Sequence, residues 1–157
     1  MSGASVNGEF AFRRMQARDL PEVMEIERLS FSNPWHETTF QGEIQNAPIS
    51  FPVVAERASD GRIAGYIIYW KIKDDVQINN IAVHPEVRGK GLGEALLRHA
   101  LERVRAEGAA FVSLEVRASN GAARRLYAKL GFEVFGIRKD YYSNPAEDAV
   151  VMGLYLP

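Results

Sequence analysis

Arg88-Gly89-Lys90-Gly91-Leu92-Gly93 packs three glycines into six residues, at the junction between two different side-chain periods. Before it, residues 76–83 read as a strand. After it, Leu92, Ala95, Leu96, Ala100 and Val104 recur at helical spacing, and Gly108 closes that helix with Arg103 and Arg105 near its end. The chain therefore passes from strand to helix through a segment with little side-chain cover. A helix opened in this way leaves its first backbone N–H groups and the positive end of its macrodipole bare, a site suited to a pyrophosphate. Arg88 and Lys90 add formal positive charge. The spacing matches neither the dinucleotide fingerprint nor a Walker A loop, which needs Lys-Ser/Thr after the last glycine. A glycine triplet alone reads as a flexible turn with solvated basic residues. Between a strand and a helix, phosphate binding is the better reading.

The rest of the chain fits around this junction. Residues 1–9 are small and polar and are expected to be a disordered lead-in outside the fold; 10–157 are expected to form a single domain, as the length and the 46% hydrophobic, 25% charged composition suggest. Phe10, Phe12 and Met15 predict a first strand. Asp19 with Glu22 forms a capping-box pattern, and Pro21 suits the first turn of a helix running to about Phe31 on Leu20, Val23, Met24 and Ile26. Ser32-Asn33-Pro34-Trp35 breaks it, and a short helix follows over 36–45. Apolar runs at 51–56 and 62–72, joined by Ala58-Ser59-Asp60-Gly61, predict a hairpin, and Asp74-Asp75 turns into the strand 76–83. A short strand at 111–116 precedes a helix built on Ala123, Leu126, Tyr127 and Leu130 and stopped by Gly131. Two last strands, 132–138 and 148–155, flank Tyr142-Ser143-Asn144-Pro145. This order predicts an α/β mixed sheet with helices on both faces.

Two further features bear on chemistry. In the strand 76–83, apolar residues sit at even positions (Val76, Ile78) before Asn79-Asn80 and at odd ones (Ile81, Val83) after it. Side chains alternate strictly along a strand, so the slip predicts a bulge, whose unpaired backbone N–H groups could hold a ligand carbonyl. A strand buried on both faces would make parity uninformative; two adjacent Asn favour the bulge. Glu115 interrupts the apolar strand at 111–116, and Tyr127 lies on the apolar face of the next helix. A buried carboxylate must be paired or pushed towards neutrality, which suits a general base. A phenol there can donate a proton to a leaving thiolate. Each also has an ordinary explanation: an ion pair of Glu115 with Arg117 or a strand-end Lys, and a core aromatic with its hydroxyl at the rim.

Together these features resemble the GCN5-related N-acetyltransferase (GNAT) family. Its acyl-CoA motif Arg/Gln-x-x-Gly-x-Gly/Ala is matched by Arg88, Gly91 and Gly93, after the strand Asn80-Ile81-Ala82-Val83. Leu114-Glu115-Val116-Arg117-Ala118-Ser119-Asn120, Tyr141-Tyr142 and Glu147-Asp148-Ala149, with Ile26-Glu27 and Ser32-Asn33-Pro34-Trp35 upstream, are similar to RimI-type ribosomal-protein alanine N-acetyltransferases over nearly everything beyond the lead-in. The resemblance implies a twisted, mostly antiparallel sheet of about seven strands with a splayed parallel central pair, and about four helices on its two faces. It implies acetyl-CoA as co-substrate, its acetyl carbonyl and pantetheine arm on the backbone of Ile81, Ala82 and Val83. The pyrophosphate would lie on Gly89, Lys90, Gly91, Leu92, Gly93 and Glu94 beside Arg88, with Asn120 touching the pantetheine. Glu115 would be general base, Tyr127 general acid, and Tyr141 and Tyr142 would grip a peptide N-terminus, that of a ribosomal protein. A relaxed enzyme acting on several N-termini or a small amine, and a non-catalytic acyl-CoA sensor, are the alternatives.

Composition narrows the setting. With 19 Lys+Arg against 20 Asp+Glu and a net charge of -1, no basic face for nucleic acid is expected. With no Cys there is no thiol nucleophile, and Ser113 and Ser119 have no adjacent His, so direct attack by the amine is expected rather than a covalent enzyme intermediate. An α-amine is about 10% neutral at pH 7, a Lys side chain only about 0.04%, so one carboxylate base suits an N-terminus. No pair among His36, His84 and His99 has metal-site spacing, and no metal is expected. No secretion signal or membrane-length apolar run is seen, and no heptad seam. The expectation is a cytoplasmic monomer.

Overall fold

The computed structural model describes residues 8–157; residues 1–7 of the expected lead-in lie outside the described residues. At the boundary of that lead-in, Glu9 is tied to the sheet, its carbonyl accepting from Ala58 N at 2.7 Å. The strands are β1 (Phe10–Arg14), β2 (Ser50–Arg57), β3 (Ile63–Ile72), β4 (Asp75–Val83), β5 (Phe111–Arg117), β6 (Glu133–Tyr142) and β7 (Glu147–Tyr155). The helices are α1 (Leu20–Ser30), α2 (Glu37–Gln45), α3 (Leu92–Ala106) and α4 (Gly121–Lys129). The strands form one sheet in the order β1-β2-β3-β4-β5-β7-β6. Among the described residues only β4 and β5 run parallel, because α3 carries the chain back to the end where β4 began.

Two apolar layers result. α3 lays Leu92, Leu96, Leu97, Ala100, Leu101 and Val104 on one face, against Val76, Ile78, Val112 and Leu114. Each Leu, Val or Ile side chain among them, taken from water, contributes about 1.5–3 kcal/mol. On the other face, Leu20, Val23, Met24 and Ile26 of α1 and Phe40 of α2 meet Val54, Tyr66, Ile68 and Ala82. β3 feeds both layers by alternation: Ile67 and Tyr69 go to the first, Tyr66 and Ile68 to the second. The second layer ends at β4. Over β5, β7 and β6 that face has no helix among the described residues, and Phe135 and Tyr155 are exposed there.

The Asp19–Glu22 capping box does not form. The Asp19 carboxylate accepts from Arg13 Nη1 and Nη2, both at 2.8 Å, and from Gln16 N, while Glu22 Oε2 accepts from Ile63 N at 2.9 Å. A guanidinium fork from β1 outcompetes one backbone N–H for that carboxylate. β6 also runs to Tyr142, four residues past the expected end, through irregular pairing between Arg138 and Tyr142.

Candidate active site

β4 and β5 pair only from Asp75↔Phe111 to Ile78↔Leu114. Beyond that point β4 stays with β3 and β5 with β7, so the two strands part and leave a gap. The bulge lies where they separate: Ile68 pairs with Asn80 and Tyr69 with Ile78, leaving Asn79 unmatched. Parity reverses across it as expected. Val76 and Ile78 belong to the first layer, and after the bulge Ile81 and Val83 pack against that layer while Asn80 and Ala82 turn to the other. His84 N donates to Ala64 O on β3 at 2.8 Å, so by alternation the amides of Asn80 and Ala82 also point to β3. Of the three residues Ile81, Ala82 and Val83, it is Ile81 and Val83 whose amides face the gap.

The glycine turn lies at the end of β4. Gly89 and Gly91 have φ of 83° and 81°, a left-handed conformation that costs other residues about 1–2 kcal/mol, and a Cβ at either would meet nothing within 4 Å. Gly91 is the N-cap of α3 and offers no side-chain cap, so the first-turn amides of Leu92, Gly93 and Glu94 are left for a ligand. The Leu92 side chain is buried in the first layer, and Lys90 is exposed. Glu94 holds Arg98 at 2.9 Å and Lys129 at 2.8 Å; the hydrogen bond from Lys129, then that from Arg98, keeps its carboxyl below the usual range. Arg88 clasps the end of β4, its Nε donating to Val83 O at 3.0 Å and its Nη2 to Ser30 Oγ at 3.1 Å; both acceptors are neutral, so the guanidinium keeps its charge beside the turn. Across the gap, Asn120 caps α4, its Oδ1 accepting from Ala123 N at 3.2 Å.

On the α1–α2 side of the gap lies a cavity of about 370 Å³ lined by Trp35, Thr39, Glu43, Trp70, Gln77, Ile78, Asn79, Glu115, Tyr141 and Tyr142. Its two flanking loops are tied together by Asn33 Nδ2 donating to Ser143 O at 2.8 Å and by Asn144 Nδ2 donating to Asn33 Oδ1 at 3.3 Å. Glu115 projects into this cavity and is half-buried rather than deep. It accepts from Arg138 Nη1 at 2.6 Å, not from Arg117, which instead serves Glu147 and the Ser143 carbonyl. Arg138 and Arg117 also cover the rings of Tyr141 and Tyr142, at 4.7 and 4.5 Å from their centroids. Burial, then the Glu115 charge, raises the Tyr141 phenol; the same two causes push Tyr142 to about 12.

Tyr127 occupies the opposite face. Its ring is buried with Val116 and Phe132 in the first layer, and burial, then the charge of Tyr142, pushes its phenol to about 12. The gap thus has a carboxylate on one side of the sheet and a protonated phenol on the other.

Residues 20–132 match the Acetyltransferase (GNAT) family. The chain is 37% identical over 142 residues to the [ribosomal protein bS18]-alanine N-acetyltransferase of Escherichia coli, spanning 89% of this chain and 93% of that one. It is 45% identical over 142 residues, 90% of this chain and 93% of the other, to a Bacillus subtilis protein provisionally named for the same activity. The chain belongs to the GNAT acetyltransferase family. The crystal structure of the E. coli ribosomal-protein-S18-alanine N-acetyltransferase superposes with a TM-score of 0.86 at 34% identity, over 94% of each chain. Ard1 from Thermoplasma volcanium gives the same TM-score at 27% identity, over 95% of this chain and 99% of that one.

In this GNAT acetyltransferase three polar groups matter beyond those expected from sequence. Glu27 of α1, buried, accepts from Tyr66 Oη and Asn80 Nδ2 at one oxygen and from Trp35 N at the other, tying α1, β3, the bulged strand and the cavity wall together. Its position four residues after Val23, on the apolar stripe, was the available signal. Glu43 Oε1 accepts from Trp70 Nε1 and Ser50 Oγ, both at 2.6 Å, and so fixes the Trp70 ring. Asn79 Nδ2 is buried with no hydrogen-bond partner among the described residues. Nor, among those residues, is there a group of three or more potential metal ligands. His84 caps the 3-10 turn Pro85–Val87 and meets Glu25 at 3.1 Å, His99 packs edge-on to Phe12, and His36 opens α2.

Proposed function

We propose that this acetyltransferase moves the acetyl group of acetyl-CoA onto the N-terminal α-amine of a protein, the alanine terminus of ribosomal protein bS18 being the acceptor. The observation that carries this reading is the gap between β4 and β5, with free amides at its edge, Glu115 on one face and Tyr127 on the other. The acceptor specified in the E. coli relative's name supports the choice of amine. Acetyl-CoA supplies an acetyl group already activated as a thioester.

The fit for that group rests on the turn. Uncapped amides at Leu92, Gly93 and Glu94 and the empty space above Gly89 and Gly91 suit a pyrophosphate, with Lys90 alongside. Ile81 and Val83 donate to the acetyl carbonyl as charge develops on it. Asn120, at the head of α4, has no partner for its Nδ2 among the described residues, which leaves it for the pantetheine arm. On the cavity side, Tyr141 and Tyr142 hold the acceptor backbone, and Glu115 takes the proton that the amine must lose, so that nitrogen attacks as a neutral group. The new N–C bond forms on that face and the nitrogen sheds its remaining extra proton to water as the amide forms, while the C–S bond breaks towards the other face and Tyr127 donates a hydrogen bond to the departing thiolate. No metal takes part. The enzyme acts as a monomer in the cytoplasm, on the free ribosomal protein rather than on RNA.

The test is thiol release from acetyl-CoA over a panel of peptides that vary in their first residues, with one blocked at its α-amine. Release with the free alanine terminus and none with the blocked copy is expected. Equal rates across all termini would replace this reading by a relaxed acetyltransferase, and tight acetyl-CoA binding without release on any peptide by a sensor.

A further inference from the structure

The acceptor cavity does not end at Gln77. A second cleft of about 360 Å³ continues from it, sharing Trp70 and Gln77 and ending between Ile72, Asp75 and Phe111. Strand register accounts for its form. Rows of residues cross the uncovered face side by side: Trp70, Gln77, Ser113 and Gly153 make one row, and Ile72, Asp75, Phe111 and Tyr155 the next. The middle of the first row is small or polar, so it forms a floor. Trp70 stands on one side, held by Glu43, and the Phe111–Tyr155 pair, with centroids 4.8 Å apart, closes the far end. A side chain at Gly153 would fill this floor, since its Cβ would lie 2.6 Å from the Phe111 ring.

Every charged side chain lining the two cavities is a carboxylate: Glu115, Glu43 and Asp75. Glu115 has Arg138, and Glu43 has Trp70 and Ser50. Asp75 is exposed and enters no ion pair among the described residues, and it stands beside aromatic surface. A flexible aliphatic stem with a cationic tip satisfies both features, the stem on Trp70 and Phe111 and the tip at Asp75.

We propose, building on the N-terminal acetyltransferase reading above, that this cleft is a distal subsite for a Lys or Arg of the same acceptor chain. Its position follows from the strand rise. Glu115 and Phe111 are four residues apart on β5, about 13 Å at about 3.3 Å per residue. An extended acceptor with its α-amine at Glu115 brings its fourth and fifth residues to Asp75. The subsite thus selects N-termini followed by positive charge, a preference separate from that for the first residue.

The experiment uses three octapeptides with the same preferred first three residues and with Lys, Ala or Glu at both the fourth and fifth positions. The Lys peptide is expected to show a KM about fivefold below that of the Ala peptide, as suits a partly exposed ion pair, and the Glu peptide a higher one, with kcat unchanged. Raising salt narrows the spread. In Asp75→Asn, whose melting temperature is expected to match wild type, the spread collapses. Equal KM values for the three peptides, or a spread that survives in Asp75→Asn, would overturn the subsite while leaving N-terminal acetylation standing. Acetylation of none of them would overturn both.

Discussion

Glu27→Gln tests whether the polar knot under the bulge shapes the acceptor side of the site. The substitution keeps shape and volume. Its carbonyl oxygen can still accept from Tyr66 Oη and Asn80 Nδ2, but its amide nitrogen then faces the Trp35 N–H, which sits 2.8 Å from the carboxylate in wild type. Hydrogen bonds to a charged acceptor are stronger than neutral ones by about 1 kcal/mol each, and a backbone N–H left without an acceptor costs about 1–3 kcal/mol. Burying a neutral amide is easier than burying a carboxylate, which offsets roughly 1 kcal/mol of this loss. The net expectation is about 3 kcal/mol, or a fall in melting temperature of about 6–12 °C for a chain of this size. Trp35 lines the cavity proposed to hold the acceptor, so the KM for the peptide should rise several-fold as the wall loosens. Thermal melts followed by circular dichroism, with peptide titrations well below the new transition, measure both. A melting temperature within about 2 °C of wild type with an unchanged peptide KM would refute the role given to Glu27.

Two other substitutions probe separate parts of the molecule. Glu115→Gln should lower turnover on an alanine-terminated peptide by at least about tenfold with the melting temperature nearly unchanged; wild-type turnover would assign the base elsewhere. Burial alone would raise the Asp19 carboxyl, but the hydrogen bonds from Arg13 and Gln16 N outweigh it and hold the group below its usual value. A folded-state pKa below the unfolded one gives stability that is present above about pH 4 and lost as pH falls through the folded value. Asp19→Asn should therefore cost about 2 kcal/mol at pH 7, and that cost should shrink steadily as pH falls below about 4, as melts across that range would show.

Periodicity carried the element order because each helix and strand presents one repeating face to a layer. The parity slip located the bulge because β4 is lined on both faces by layers that differ in character: aliphatic residues of α3 on one side, the Glu27 knot on the other. Partner choice was less legible. Glu115 and Arg117 are neighbours in sequence and share a face of β5, yet β6 brings Arg138 to Glu115 while the β6–β7 turn takes Arg117 through Ser143, Pro145 and Glu147. Those contacts span 23 to 30 residues and depend on how an irregular hairpin folds back, which no local pattern encodes. The same holds for Arg88, whose charge suggested a phosphate but whose reach to Val83 and Ser30 follows from where α1 ends.

The proposed mechanism also divides the proton traffic between the two faces of the gap. A thiol has a pKa of about 8.5, and the Tyr127 phenol is held at about 12 by burial and then by the charge of Tyr142. Handing the proton over outright would climb about 3–4 pK units, about 5 kcal/mol. In the proposed mechanism the phenol therefore serves chiefly as a fixed hydrogen-bond donor to charge gathering on sulfur. In the proposed mechanism the proton that leaves the amine passes to Glu115 on the other face and on to water. Tyr127→Phe removes that donor but keeps the ring packed on Phe132, whose centroid lies 5.9 Å away. Turnover should fall about 10²- to 10³-fold, the effect of losing one well-placed donor, with the KM for acetyl-CoA and the melting temperature nearly unchanged. Because a raised phenol stays protonated, wild-type activity should show no decline due to Tyr127 between about pH 8 and 10. Wild-type turnover in Tyr127→Phe, or an alkaline decline near pH 9 that the substitution abolishes, would remove Tyr127 from this role.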